Sequence, residues 1–142
     1  MYMNLNIFAY GTLMIPSVMH VVTARHFGSQ KAILRDYARF TVKGELYPGI
    51  IPVTDAITEG IIYFNVDELS LRRLDTFEGD FYQRTQIRVE TEGKGILNAE
   101  TYVIKAEYLG YLSLKAWDVN EFIQKDLLQM FLMTYSGFAK KL

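Results

Sequence analysis

The sequence predicts an α+β fold, a single domain over residues 1–142 whose strands form a curved, partly closed mixed sheet beside two to three helices. Three observations carry this. Short runs rich in Ile, Val and aromatic residues recur along the chain, separated by Gly, Pro and Asp. Helical spacing of apolar residues is confined to three places. The 142 residues are enough for one sizeable core and are not divided by a linker, repeat or low-complexity stretch.

Leu5 to Tyr10 is an apolar run that reads as a buried strand, and Gly11 breaks it. Pro16 to Arg25 predicts a short helix, since Pro suits a first turn and Val18, Val21 and Val22 fall on one face. Gln30 to Leu34 and Tyr37 to Val42 read as strands around Arg35-Asp36. Leu46 to Val53 contains two prolines and a glycine, which argues against a regular interior strand. Gly60 to Val66 is the next strand, and Asp67 is placed to cap the helix that carries Leu71 and Leu74. Thr85, Ile87 and Val89 alternate with Gln86, Arg88 and Glu90, the pattern of a half-buried strand. Glu92-Gly-Lys-Gly95 is a turn, and Ala99 to Lys105 pairs as the second arm of a hairpin. In the tail, Asp118 and Glu121 resemble a capping box ahead of Phe122, Ile123, Leu127, Met130 and Phe131 at helical spacing.

Composition excludes several function classes. A net charge of −1 with scattered Lys and Arg argues against nucleic acid, because Lys140-Lys141 is the only basic cluster at a terminus. The chain has no cysteine, which removes disulfides, thiolate chemistry and cysteine-ligated zinc. No apolar run is long enough to span a bilayer, and Met1-Tyr-Met-Asn4 lacks the basic start of a secretion signal. The expectation is a soluble, globular, cytoplasmic protein without a membrane partner.

The residues that remain for chemistry are few. His20 and His26 are six apart, off a shared helix face and outside metal-ligand spacing. No serine sits in a Gly-x-Ser-x-Gly elbow. Glu92-Gly-Lys-Gly95 is too short for a phosphate loop. Met130, Phe131 and Met133 read as core and its rim, and Trp117 as a packing anchor at the helix entrance. Glu78 stands out. It closes a helix just before Gly79, beside Asp75 and among Phe77, Phe81 and Tyr82. A helix end, a like charge and apolar walls each raise a carboxyl pKa. The plain alternative is an acidic residue facing water after a frayed end. Gly11 likewise has two readings: a simple turn, or a strand-to-helix junction whose backbone N–H groups form a concavity for an anion.

Taken together, Phe8-Ala-Tyr-Gly-Thr-Leu13, Tyr47-Pro-Gly-Ile-Ile-Pro52, Glu59-Gly-Ile-Ile-Tyr63 and Leu71-x-x-Leu-Asp-x-Phe-Glu-Gly-x-x-Tyr-x-Arg84 resemble the gamma-glutamylcyclotransferase-like family. The resemblance is to the branch named after an avirulence-induced plant protein, and Trp117-Asp118 with its following helix fits that branch. It spans most of the chain in the right order. It implies a compact barrel-like α+β fold and a metal-free, cofactor-free cyclisation of a small γ-glutamyl compound to 5-oxoproline. The family's catalytic glutamate falls on Glu78, and its substrate-binding loop on Phe8, Ala9, Tyr10, Gly11, Thr12 and Leu13. Its pocket tyrosine falls on Tyr82. Members acting on free γ-glutamyl amino acids commonly read Tyr-Gly-Ser-Asn at the loop. The Tyr-Gly-Thr-Leu version looks closer to γ-glutamylamine cyclotransferases, although Met14-Ile-Pro16 replaces their basic, glycine-containing continuation.

Two other functions compete with this one. A pocket of the same fold could bind a γ-glutamyl group or carboxylate without chemistry, giving saturable thermal stabilisation and no product. An interaction module would instead expose its aromatic residues to a partner, with no closed polar-rimmed pocket around Glu78. Neither the leaving group nor the oligomeric state follows from the residues.

Overall fold

The computed structural model describes residues 4–124. The elements are β1 (Leu5–Ala9), α1 (Pro16–Thr23), β2 (Ser29–Val42), β3 (Pro48–Val66), α2 (Glu68–Glu78), β4 (Tyr82–Thr91), β5 (Gly95–Ile104), β6 (Leu112–Ala116) and α3 (Val119–Gln124). Single 3-10 turns cover Thr12–Met14 and Gly79–Phe81, and a longer one Ala106–Tyr111.

The strand order is β3-β1-β5-β4-β2-β6, and β3 also pairs with β2, so five strands close into a barrel with β6 attached outside. All pairings are antiparallel except β1 with β5, where Ile7 lies opposite Glu100. The expected α+β, barrel-like sheet is therefore the observed one. Because side chains alternate along a strand, β1 feeds two cores. Ile7 and Ala9 join Leu71, Leu74 and Phe77 under the helices. Phe8 and Tyr10 pack with Leu34, Ile50, Ile62 and Val89. A strand buried on both faces reads as a continuous apolar run, which is what Leu5 to Tyr10 is.

Several local expectations are corrected. The proline-containing stretch before Val53 is strand, with Thr41 opposite Pro48 and Tyr37 opposite Pro52. In this half β3 pairs only with β2, so it is an edge, and edge strands and first residues tolerate Pro. β2 does not stop at Arg35-Asp36. A bulge there puts Asp36 at φ +68°, and its Oδ1 accepts the Asp55 N–H at 2.9 Å. In α1, Val18 and Val22 are buried but Val21 is 51% exposed. That helix ends at Thr23, because Ala24 turns left-handed at φ +61°. β5 begins at Gly95, four residues earlier than expected, and β6 lacks any inward alternation that would have announced it.

Asp118 caps α3 through its Oδ1, which accepts the N–H groups of Asn120 (2.7 Å) and Glu121 (3.1 Å). Phe122 faces the core against Trp117, whereas Ile123 is exposed. Leu127, Met130, Phe131 and Met133 lie outside the described residues. Among the described residues, no helix is long and apolar enough to cross a membrane.

Candidate active site

Glu78 is brought indoors by the helix that carries it. The Asp67 carboxylate caps α2 by accepting the Ser70 N–H at 3.2 Å and the Ser70 hydroxyl at 2.7 Å. Leu71, Leu74 and Glu78 then recur at i, i+3 and i+7, one stripe of the helix, and all three are buried. Gly79 ends the helix at φ +76°, its N–H returning to the Asp75 carbonyl. Glu78 is thus the last helical residue and only 9% exposed. Its carboxyl pKa is pushed up to about 8, first by burial and then by the negative charge of Asp75. Burial therefore outranks the local charge that the sequence made conspicuous.

The loop after β1 forms the opposite wall. Gly11 accepts the Met14 N–H at 2.9 Å and Thr12 accepts the Ile15 N–H at 3.1 Å, closing the 3-10 turn. The N–H groups of Gly11, Thr12 and Leu13 precede the first carbonyl they could reach, and they donate to no acceptor among the described residues. Gly11 is needed for space: a Cβ there would stand 2.9 Å from Pro48 Cγ and 3.0 Å from its Cδ. The Tyr63 hydroxyl donates to the Leu13 carbonyl at 2.6 Å and holds the far end of the turn.

Between these walls lies a narrow cleft with a free volume of about 20 Å³, room for about one water molecule and well below the usual range for small-molecule sites. Phe8, Ala9, Tyr10, Gly11, Thr12, Leu13, Glu78 and Tyr82 all line it, so the structure gathers the residues to which the resemblance gave catalytic or substrate-binding roles. Tyr47, Pro48 and Tyr102 complete the lining and were missed. Tyr47 and Pro48 were part of the Tyr47–Pro52 segment that carried the resemblance, but no site role was drawn for them. Tyr102 carried only the alternation of a strand, and nothing in the sequence joins it to Glu78.

Four phenols surround the one carboxyl. Tyr10 donates to the Tyr102 carbonyl at 2.5 Å and Tyr82 to the Pro48 carbonyl at 2.8 Å. Burial raises the pKa of Tyr10, Tyr47, Tyr82 and Tyr102, and the charge of Glu78 adds to each. They stay neutral, leaving Glu78 as the group in the cleft that exchanges a proton near neutral pH. One carboxyl among phenols is not a divalent-cation ligand set. A carboxyl that titrates near 8 opposite unspent N–H donors is equipped to move a proton beside a developing oxyanion.

His20 and His26 contribute nothing to this cleft. The left-handed Ala24 folds the chain back so that their rings stack at 4.3 Å on the surface, an arrangement their spacing did not suggest. A wider groove shares Tyr82 and Tyr102 with the cleft and is lined by Asp75, Asp80, Arg84, Lys105 and Glu107. There Arg84 Nε lies 3.0 Å from Glu100 and 3.6 Å from Asp75, while its buried Nη1 has no hydrogen-bond partner among the described residues.

Comparison with known proteins agrees with this architecture. Residues 7–119 match the family described as gamma-glutamyl cyclotransferase, AIG2-like. AIG2-like protein D of Arabidopsis thaliana is 31% identical over 139 residues, covering 96% of this chain and 90% of that protein. The solution structure of an Arabidopsis thaliana protein superposes with a TM-score of 0.71 at 27% identity, over 93% of this chain and 79% of the other. A yeast gamma-glutamyl cyclotransferase specific to glutathione has a TM-score of 0.64 over 96% of this chain and 90% of its own. At 12% identity it shares the fold alone.

Proposed function

Since the chain belongs to the gamma-glutamyl cyclotransferase, AIG2-like family, we propose that it converts a small γ-glutamyl compound to 5-oxoproline, with Glu78 as the proton carrier. The observation that carries this is a buried carboxyl with a pKa of about 8 in the same cleft as the unspent amides of Gly11 to Leu13.

The chemistry is an isomerising cleavage. The substrate's α-ammonium gives a proton to the Glu78 carboxylate, and the freed amine attacks the γ-carbonyl carbon of the same molecule. A new C–N bond closes the five-membered ring, and the carbonyl oxygen becomes an oxyanion that the loop amides stabilise. Glu78 then returns its proton to the γ-nitrogen, and the oxyanion re-forms the carbonyl as the old C–N bond breaks. The cationic ring nitrogen gives its second proton to the released amine, and 5-oxoproline and an ammonium product leave. No protein nucleophile is needed. An α-amine titrates at roughly 8, so donor and acceptor are matched and the transfer is close to thermoneutral. An ordinary carboxylate would be a much poorer base. Folding the amine against its own carbonyl contributes several kcal/mol, up to about 7–11 in the best intramolecular systems.

The test is to incubate the protein with γ-glutamyl amino acids, γ-glutamyl-lysine and glutathione and to assay 5-oxoproline. Turnover that is lost in Glu78→Gln supports the proposal. No product from any of these, or full activity in Glu78→Gln, overturns it; saturable stabilisation by the same compounds without product favours simple binding.

A further inference from the structure

The guanidinium of Arg39 lies outside the cleft but is joined to its backbone. Arg39 sits on β2 opposite Ile50. Its Nη1 donates to the Tyr10 carbonyl at 2.7 Å and to the Glu59 carbonyl at 2.9 Å, with a longer contact to Met14 Sδ at 3.9 Å, so both N–H bonds of that nitrogen are used. These two carbonyls mark the place where β1 and β3 separate. The last paired residues are Ala9 and Ile61, and β1 then leaves the sheet for the loop. Arg39 closes the fork. Its own position is fixed by Trp117, whose ring centroid lies 5.6 Å from the guanidinium carbon. The Trp117 indole N–H in turn donates to the Leu46 carbonyl at 2.9 Å, next to Tyr47 and Pro48 of the cleft wall.

The peptide joining Tyr10 to Gly11 is trans. In a trans peptide the C=O and the following N–H share a plane and point in opposite directions. Holding the Tyr10 carbonyl towards Arg39 therefore turns the Gly11 N–H the other way. That N–H has no acceptor among the described residues, and Gly11 lines the cleft that holds Glu78. We infer that Arg39 is a positioning residue, clamped by Trp117, that sets the plane of the Tyr10–Gly11 peptide and so aims the Gly11 amide at the substrate's developing oxyanion. The inference rests on the cyclisation reading for what the amide is used for, and on hydrogen bonds alone for where it points.

Two variants of the full chain test it, Arg39→Met and Arg39→Lys, with the γ-glutamyl compound that the wild type turns over. In Arg39→Met, kcat is expected to fall by roughly 10²-fold, the size of losing or misaligning one oxyanion donor. KM should change little, because the donor is used in the transition state, and the pH midpoint set by Glu78 should not move. Arg39→Lys keeps a cation able to reach one carbonyl and should recover part of kcat; it also serves if the Met variant fails to fold. Wild-type rates in both variants, or a loss explained by a displaced pH midpoint, overturn the inference. A nitrogen-15 NMR spectrum separates this from failure of the cyclisation reading, as it needs no turnover. Arg39→Lys should shift the Gly11 amide resonance and change its response to added 5-oxoproline. An unaltered Gly11 resonance overturns the positioning role even in an inactive protein.

Discussion

The Tyr102 hydroxyl donates to Asp75 Oδ1 at 2.7 Å, tying β5 to the turn of α2 that ends at Glu78. Asp75 is the second cause, after burial, of the raised Glu78 pKa. Asp75→Asn removes that charge, so the Glu78 midpoint should move to lower pH. Burial remains, so it should stay above the ordinary carboxylate range. A carbon-13 NMR titration of the Glu78 carboxyl reads this directly. An unmoved midpoint would remove Asp75 from the account.

Glu78→Gln should abolish most turnover and yet stabilise the protein in alkali. Folded, Glu78 keeps its proton until about pH 8, against about 4.5 for an ordinary glutamate. The folded state therefore holds more protons than the unfolded state between those values, and stability falls as pH rises through this window. The contribution is full below the window and absent above it, on the order of 4–5 kcal/mol in all. Glutamine has no such dependence. Urea unfolding at pH 5 and pH 9 should show the variant gaining on the parent at the higher pH, while kcat drops by about 10²–10⁴. Equal pH dependence in both proteins would contradict a buried, neutral Glu78.

Two glycines should separate fold from site. At Gly60 a Cβ would stand 2.3 Å from the Ala9 carbonyl oxygen and 2.6 Å from the Phe8 ring, and a strand backbone cannot swing aside. Gly60→Ala should lose about 1–3 kcal/mol or more by forcing β1 from β3. At Gly11 the obstacle is the Pro48 ring, a wall of the cleft. Gly11→Ala should therefore lose less stability and proportionally more activity. Denaturant midpoints and kcat measured on both variants decide it, and the reverse ranking counts against this picture.

Tyr82→Phe removes the donor to the Pro48 carbonyl and leaves a buried acceptor short of a partner. The expected loss of stability is about 1–3 kcal/mol. Full stability with abolished turnover would instead assign the hydroxyl to the substrate.

What could be read from the sequence was local. The Asp67 cap, the Gly79 stop and the hairpin around Glu92-Gly-Lys-Gly95 depend on residues a few positions apart, and each is where its pattern placed it. Phe8 to Leu13, Glu78 and Tyr82 were named through the order of motifs along the chain. Tyr102 and Pro48 were not, because they reach the cleft through β5 and β3, whose pairings join distant residues. The prolines misled for a related reason: whether Pro48 and Pro52 are tolerated depends on which side of β3 is unpaired. Apolar walls were among the three causes the sequence offered for the Glu78 shift, but that burial leads them follows only once the opposite wall is in place.

The parallel pairing of β1 with β5 has a consequence in time. The cleft draws on residues near 10, 47, 80 and 102, and β1 cannot be flanked on both sides until β5 has been made. As the chain leaves the ribosome, the loop that would hold substrate emerges some ninety residues before Tyr102, and it gains its walls only once β5 has been synthesised. Distant pairings of this kind make for slow closure, because loop entropy is lost before contacts repay it. The cleft and the barrel therefore form as one late event, and a chain stopped short of Tyr102 has neither.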